Sequence, residues 1–225
     1  MLAVIIPTLN AEATIAATLA AVFAHDVPPL EVLVVDGGSK DATRLLSTDG
    51  GARIIESAPG RGRQLALGAA ETQAQWLLFL HADTMLPDDW EHCVSRFITD
   101  PRNAEYAAYF KLSFDHPSMA AKRVATLANW RAKAWGLPYG DQGLLIHRDL
   151  YDDMGGFRAD LDLMEDVDLA RRLGPMRLKP LCTTVTTSAA KYVAGGWWAR
   201  PLRNVLCLGL FLAGAPKRWT QGLYR

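Results

Sequence analysis

Three short stretches carry most of the chemistry open to this chain. In the first, the apolar run Trp76–Leu80 leads straight into His81-Ala82-Asp83, a histidine and a carboxylate one residue apart, and Leu86-Pro87-Asp88-Asp89 follows as a helix start. Such a run reads as a buried parallel strand, and polar groups where it stops are the usual makings of a ligand site on an α/β sheet. Asp83 can ligate a divalent cation that bridges a diphosphate, and His81 can add a ligand or a hydrogen bond. The second stretch is Asp36-Gly37-Gly38-Ser39. Asp36 can accept from a ribose hydroxyl or a base N–H, and the glycines allow a backbone approach that a side chain blocks; the same residues also describe a plain turn. The third is Glu165-Asp166, two carboxylates at a helix start. Either the helix dipole stabilises them there, or they do proton-transfer work.

Elements of regular spacing must position these groups. The first half alternates strand and helix: strands at Leu2–Ile6, Leu30–Val35, Ala52–Glu56 and Trp76–Leu80, helices at Ala13–Ala24, from Asp41, and at Gln64–Gln73. Short connections between them predict parallel strands with right-handed crossovers. Pro28-Pro29 closes the first helix. Arg61 and Arg63 precede the third, whose N-terminal N–H groups favour an anion or a uracil-type carbonyl. In the second half, strand character runs over Ala104–Phe114, Gly143–Ile146, Arg177–Leu181 and Thr183–Thr187, and helical character over Ser118–Trp135, Met164–Leu173 and Pro201–Ala213. The expected organisation is one α/β domain: residues 1–100 as a nucleotide-binding half, 101–190 as a catalytic and acceptor half, and 191–225 as a C-terminal amphipathic segment.

Composition narrows the classes. The 225 residues, half of them hydrophobic, suffice for one well-buried core. Formal net charge is zero, but no acidic residue follows Asp168 and the tail beyond it carries ten basic ones, from Arg171 to Arg225. That asymmetry predicts either an anionic partner for the C-terminal part or a basic tail laid on an acidic body. The basic residues are scattered and accompany no nucleic-acid-binding module. Cys93, Cys182 and Cys207 are odd in number and far apart, which argues against a disulfide framework or a structural zinc. With no basic leader ahead of the first strand, a cytoplasmic protein is expected, either free or peripheral to the inner membrane.

Taken together, Ile5-Ile6-Pro7-Thr8-Leu9-Asn10, Val34-Val35-Asp36-Gly37-Gly38-Ser39-Lys40-Asp41 and Leu80-His81-Ala82-Asp83 resemble the nucleotide half of family 2 glycosyltransferases. These have the A-type glycosyltransferase fold, a mostly parallel central sheet flanked by helices with a Rossmann-like N-terminal half. Gly60-Arg61-Gly62-Arg63-Gln64, Gly140-Asp141-Gln142-Gly143, Gly155-Gly156-Phe157 and Met164-Glu165-Asp166 extend the resemblance over residues 2–173, and it is nearest to a small bacterial branch. It implies inverting transfer from a nucleoside diphosphate sugar, a UDP-sugar first, to an acceptor hydroxyl. Asp166 would be the general base, with Glu165 orienting it or touching the acceptor. Asp83 would hold the cation. Pro7, Thr8, Asn10, Glu12, Asp36, Gly37, Gly38, Arg61, His81 and Ala82 would line the nucleotide site. Gly140, Asp141 and Gln142 would face the sugar or acceptor. The branch departs from the two-carboxylate Asp-x-Asp pattern at His81. Neutral imidazole suits a transition metal better than Mg2+, so either Mn2+ is preferred, or Asp83 alone holds the ion through the diphosphate, or metal dependence is weak.

Trp197-Trp198, Arg200 and Arg203 lead into an apolar stretch ending near Lys217-Arg218-Trp219. Aromatic and basic residues beside an apolar helix suit a membrane surface or a lipid-linked acceptor, and equally a helix packed on the core or in a homodimer. Two other classes compete. A sugar-1-phosphate nucleotidyltransferase needs Gly-Thr-Arg after the first strand, where this chain has Pro7-Thr8-Leu9-Asn10. A catalytically weak nucleotide-sugar-binding or membrane-scaffold protein would have little use for Asp83 and Glu165-Asp166 together.

Overall fold

Strand β1 (Leu2–Thr8) is apolar on both sides and buried along nearly all its length. Ala3 and Ile5 pack with Leu77 and Phe79 on one face of the sheet, while Leu2, Val4 and Ile6 pack with Leu78 and Leu80 on the other. This is the period-two alternation of a strand buried between two layers. The computed structural model describes residues 1–24, 30–216, 219 and 222; Pro28-Pro29, Lys217-Arg218 and Arg225 lie outside the described residues.

β1 pairs in parallel with β2 (Leu30–Asp36) and β4 (Trp76–Phe79), and β2 with β3 (Arg53–Glu56). Helices α1 (Ile15–Val22), α2 (Thr43–Asp49) and α3 (Arg61–Ala70) make the crossovers. The expected alternation therefore folds as read, and the ends of β1, β2 and β4 fall along one edge. The sheet continues through the second half in the order β3-β2-β1-β4-β7-β6-β8-β5. There β7 (Leu144–His147) runs antiparallel to β4 and to β6 (Ala107–Phe114), and β6 pairs in parallel with β8 (Leu178–Thr187).

Several expectations are corrected. The two short strands at Arg177–Leu181 and Thr183–Thr187 are one ten-residue strand, because β6 pairs along it with a single irregularity between Tyr109 and Lys111. That irregularity falls between Pro180 and Thr184, around Cys182 where the two strands were divided. The helix expected from Leu86 starts at Trp90 (α4, Trp90–Ile98), after a two-residue strand, β5 (Thr84–Met85), that pairs with β8. The strand expected from Ala104 starts at Ala107, because Pro101–Glu105 form a short 3-10 helix. Besides α5 (Met119–Trp135) and α7 (Glu165–Leu173), two short helices carry no clear periodic signal: α6 (Arg148–Asp153) and α8 (Ala190–Gly195). Helix α9 (Ala199–Leu212) buries Cys207 and Leu208 and exposes Leu202, Val205 and Leu206. Among the described residues, no helix is long and apolar enough to cross a membrane.

The cysteine reading is also corrected. Cys93 of α4 and Cys182 of β8 form a disulfide, with Cα atoms 5.7 Å apart across a sequence separation of 89 residues, and Cys207 is free and buried. Spacing along the chain cannot show that α4 packs on β8. Disulfides of this kind persist mainly in oxidising compartments. Closing so long a loop constrains the unfolded chain, so Cys93→Ser is expected to cost roughly 2–5 kcal/mol. Thermal melts with and without a reductant check this; identical curves would mean that the bond is absent or energetically idle.

Candidate active site

The loop after β4 is pinned by its carbonyls. Thr18 Oγ1 donates to Ala82 O at 2.9 Å, and Ser188 N donates to Asp83 O at 3.3 Å. With the backbone turned into the fold, the side chains of His81 and Asp83 border two cavities. The larger, about 740 Å3, is lined by Pro7, Thr8, Asn10, Gln64 and Ala82 among others. The smaller, about 230 Å3, is lined by Asp141, Met164, Asp166, Tyr192, Arg200 and Asn204 among others. Both share Arg61, His81, Asp83 and Ser188. Asp83 thus stands at the junction of a two-part cleft.

Arg61 is positioned by its neighbours' lack of side chains. Gly62 N donates to Leu161 O at 3.1 Å, and a Cβ on Gly62 would lie 2.4 Å from the carbonyls of both Arg158 and Leu161. Only glycine lets the start of α3 sit against this loop. The Arg61 guanidinium then spans two partners: its Nε lies 2.9 Å from Glu165 Oε1, and its Nη1 lies 3.2 Å from His81 Nε2. Arginine can only donate, so His81 Nε2 accepts and the ring carries its proton on Nδ1. Nε2, engaged by Arg61, is not free to ligate a metal in this arrangement. Gly140 packs edge-on against the same ring; a Cβ there would come 2.3 Å from His81 Nε2.

Glu165 is 1% exposed, and burial pushes its carboxyl up to about 7, the Arg61 charge opposing the rise. Neither Glu165 oxygen has an aligned hydrogen-bond donor, so its contact with Arg61 is an ion pair by distance alone. Asp166 faces the cleft. Its Oδ2 accepts from Gly140 N at 2.6 Å and its Oδ1 from Val167 N at 2.7 Å, which holds the carboxylate in one orientation. Asp141 keeps some exposure, but its Oδ1 is sealed from solvent without a partner. Burial raises its carboxyl to about 6, Arg131 opposes this, and the nearby charges of Asp166 and Asp83 add to it. Among the described residues, the two non-glycine residues with positive φ, Asn10 (52°) and Met164 (64°), both line the cleft. Left-handed backbone at such residues is costly and concentrates at working sites.

Of the residues expected at the nucleotide, Pro7, Thr8, Asn10, Arg61, His81 and Ala82 line the larger cavity. Glu12, Asp36, Gly37 and Gly38 line neither. Glu12 Oε2 accepts from Ala42 N at 3.0 Å, which ties the loop after β1 to α2. Asp36 is 1% exposed and its oxygens accept from Thr8 Oγ1, Ser39 Oγ and the N–H groups of Gly38 and Ser39. These bonds shape the loop after β2. Gly140 and Asp141 line the smaller cavity, but Gln142 does not: it is fully buried and donates to Phe110 O at 3.1 Å.

The cleft residues that the sequence reading of the site did not include are Gln64, Ser188, Tyr192, Arg200 and Asn204, among others. Gln64 Nε2 donates to Thr8 O at 2.8 Å and Val35 O at 2.7 Å, bracing the ends of β1 and β2. Tyr192, Arg200 and Asn204 come from α8 and α9, which fold over the cleft. The excess of basic residues after Asp168 was the available signal for Arg200.

Among the described residues, no three His, Cys, Asp or Glu side chains are grouped to hold a metal by themselves. A cation bound by one or two carboxylates plus substrate phosphates needs no such cage. Asp83 at the junction fits that manner of binding.

The model of glycosyl transferase family 2 matches residues 3–161. Among solved structures, the chain is similar to the mannosyltransferase PcManGT from Pyrobaculum calidifontis, solved with GDP-Man and Mn2+, with a TM-score of 0.70 and 21% identity over 99% of this chain and 68% of that one. It is similar to S. aureus TarS 1–349, with a TM-score of 0.66 and 17% identity over 99% and 68% of the two chains. It is also similar to glucosyl-3-phosphoglycerate synthase from Mycobacterium tuberculosis, solved with Mn2+, UDP and glucosyl-3-phosphoglycerate, with a TM-score of 0.58 and 19% identity over 96% and 81%. At these identities the likeness is one of fold. No curated protein matches the sequence significantly.

Proposed function

The chain belongs to glycosyl transferase family 2, and on that premise we propose that it moves a sugar from a nucleoside diphosphate sugar to an acceptor hydroxyl with inversion at the anomeric carbon. The observation that carries this reading is the place of Asp83 between two cavities, with Asp166 facing it from the smaller one. The larger cavity takes the nucleotide and the smaller takes the acceptor. Residues 1–100 then act as the donor half and 101–190 as the acceptor half.

Asp166 takes the proton of the acceptor hydroxyl as its oxygen attacks the anomeric carbon. The bond from that carbon to the diphosphate breaks, and the diphosphate leaves with the electron pair. Asp83 would hold a divalent cation, Mn2+ or Mg2+, which supplies charge to the leaving diphosphate when bound. Arg61 lines both cavities and Arg200 the smaller, so each can add positive charge beside the leaving group. The family match stops at residue 161, so the role of Asp166 rests on the geometry of the cleft. Structural neighbours were solved with GDP-Man or UDP, which supports a UDP- or GDP-sugar as donor.

Thermal-shift measurements with UDP, GDP, dTDP and CMP, each with and without Mn2+, test the reading. One nucleotide with Mn2+ is expected to stabilise the protein by about 2.7 kcal/mol at a hundredfold excess over Kd. Asp83→Asn is expected to abolish the metal-dependent part and keep the rest. If the metal-dependent part survives in Asp83→Asn, the cation is held elsewhere.

A further inference from the structure

Beside the cleft, α5 and α9 enclose a third cavity of about 260 Å3. Its wall is apolar: Leu112 and Phe114 of β6, Val124 and Leu127 of α5, and Val205 and Leu208 of α9. Its inner end is not. Tyr139, Asp141, Tyr192 and Asn204 line both this groove and the cavity that holds Asp166. There Asp141 Oδ1 is buried without a hydrogen-bond partner, and so is Nη2 of Arg131, another lining residue. Orphaned polar atoms of this kind are costly, and a ligand's polar group would complete them. On the outward side Trp130 and Trp135 line the groove, meet at 5.2 Å and remain more than half exposed.

We propose that this groove binds the apolar part of an amphipathic acceptor, an alcohol bearing an alkyl chain or an aromatic ring, with its hydroxyl delivered past Asp141 to Asp166. The inference rests on the transfer reading above and names the class of acceptor. A polyhydroxylated acceptor lying along this wall would leave its hydroxyls unpaired, at a cost for each. A small molecule suits the groove better than a second copy of the chain, because its inner end opens into the reaction site.

Straight-chain primary alcohols from butanol to decanol serve as probes of the full-length protein, with binding read from tryptophan fluorescence. Affinity is expected to rise about fourfold per methylene, the equivalent of ~0.8 kcal/mol, until the groove is filled. Leu127→Asp and Val205→Asp alter positions that are more than half exposed. Each is expected to flatten the rise and to leave the nucleotide-dependent melting shift unchanged. A flat series in the native protein, or a rise that both variants retain, would overturn the proposal. So would a flat series together with a dimer that Val205→Asp dissociates, which would assign the apolar face to self-association. Failure of every nucleotide to shift the melt would overturn the transfer reading itself, whatever the alcohols do.

Discussion

Asp166→Asn is expected to lower kcat by about 10²–10⁴-fold, the usual contribution of a positioned base, while nucleotide affinity stays as it is. The substitution keeps the shape of the side chain and one oxygen that can still accept from Gly140 N. It removes the group that takes the acceptor proton. Since Asp166 lines the acceptor-side cavity and not the larger one, the nucleotide-induced melting shift with Mn2+ is the control. The competing carboxylate is Asp141, which lines the same cavity and whose proton is held up to about 6 by burial. The two assignments separate in the pH–rate profile. If Asp141 were the base, kcat would climb through pH 6 and Asp141→Asn would erase both the climb and the activity. Asp166→Asn within a few-fold of native kcat would remove Asp166 from the mechanism.

The second large effect is on stability. The Glu165 carboxyl is raised from 4.5 to about 7 by burial, so the folded chain binds this proton more tightly than the unfolded chain. Its contribution is fully present below pH 4.5, declines as pH rises toward 7, and is flat above. At 1.36 kcal/mol per unit, the decline amounts to roughly 3 kcal/mol. Asp141, raised from 3.8 to about 6, acts in the same direction over a lower window. Between pH 6 and 7 the remaining slope belongs mainly to Glu165. Denaturant unfolding at pH 6 and pH 7 is therefore expected to show a loss of stability that Glu165→Gln removes. An unchanged slope in Glu165→Gln would refute the assignment. Arg61→Met removes the positive charge that opposes the shift, so it should move the decline to higher pH.

The two experiments also separate neighbours. Glu165 and Asp166 are adjacent in sequence and share a helix start, yet one is buried against Arg61 and the other faces the cavity. They are the first two residues of α7, and at 3.6 residues per turn successive side chains of a helix point about 100° apart. A motif of two acidic residues carries no sign of which one turns inward.

What the residues determined alone is the local order. The largely apolar runs at Leu2–Ile6, Leu30–Val35 and Trp76–Leu80 read as buried strands because each is short and is bounded by turn residues. Short helical segments between them forced the strands to be parallel, which brought the loops carrying Asn10 and Asp83 to one edge. Tertiary structure decided everything that depends on side-chain direction or on distant chain segments meeting. It turned Asp36 and Gln142 inward, where backbone groups and Asn129 partner them. It joined Cys93 to Cys182 across 89 residues, made one strand of Leu178–Thr187 through pairing with β6, and folded Tyr192 and Arg200 over the cleft. The physical reason is the range of the forces that leave a trace in sequence. Hydrophobic periodicity repeats every two to four residues and is visible in any short window. Which loop receives a given hydrogen bond depends on contacts made only after the whole sheet has closed.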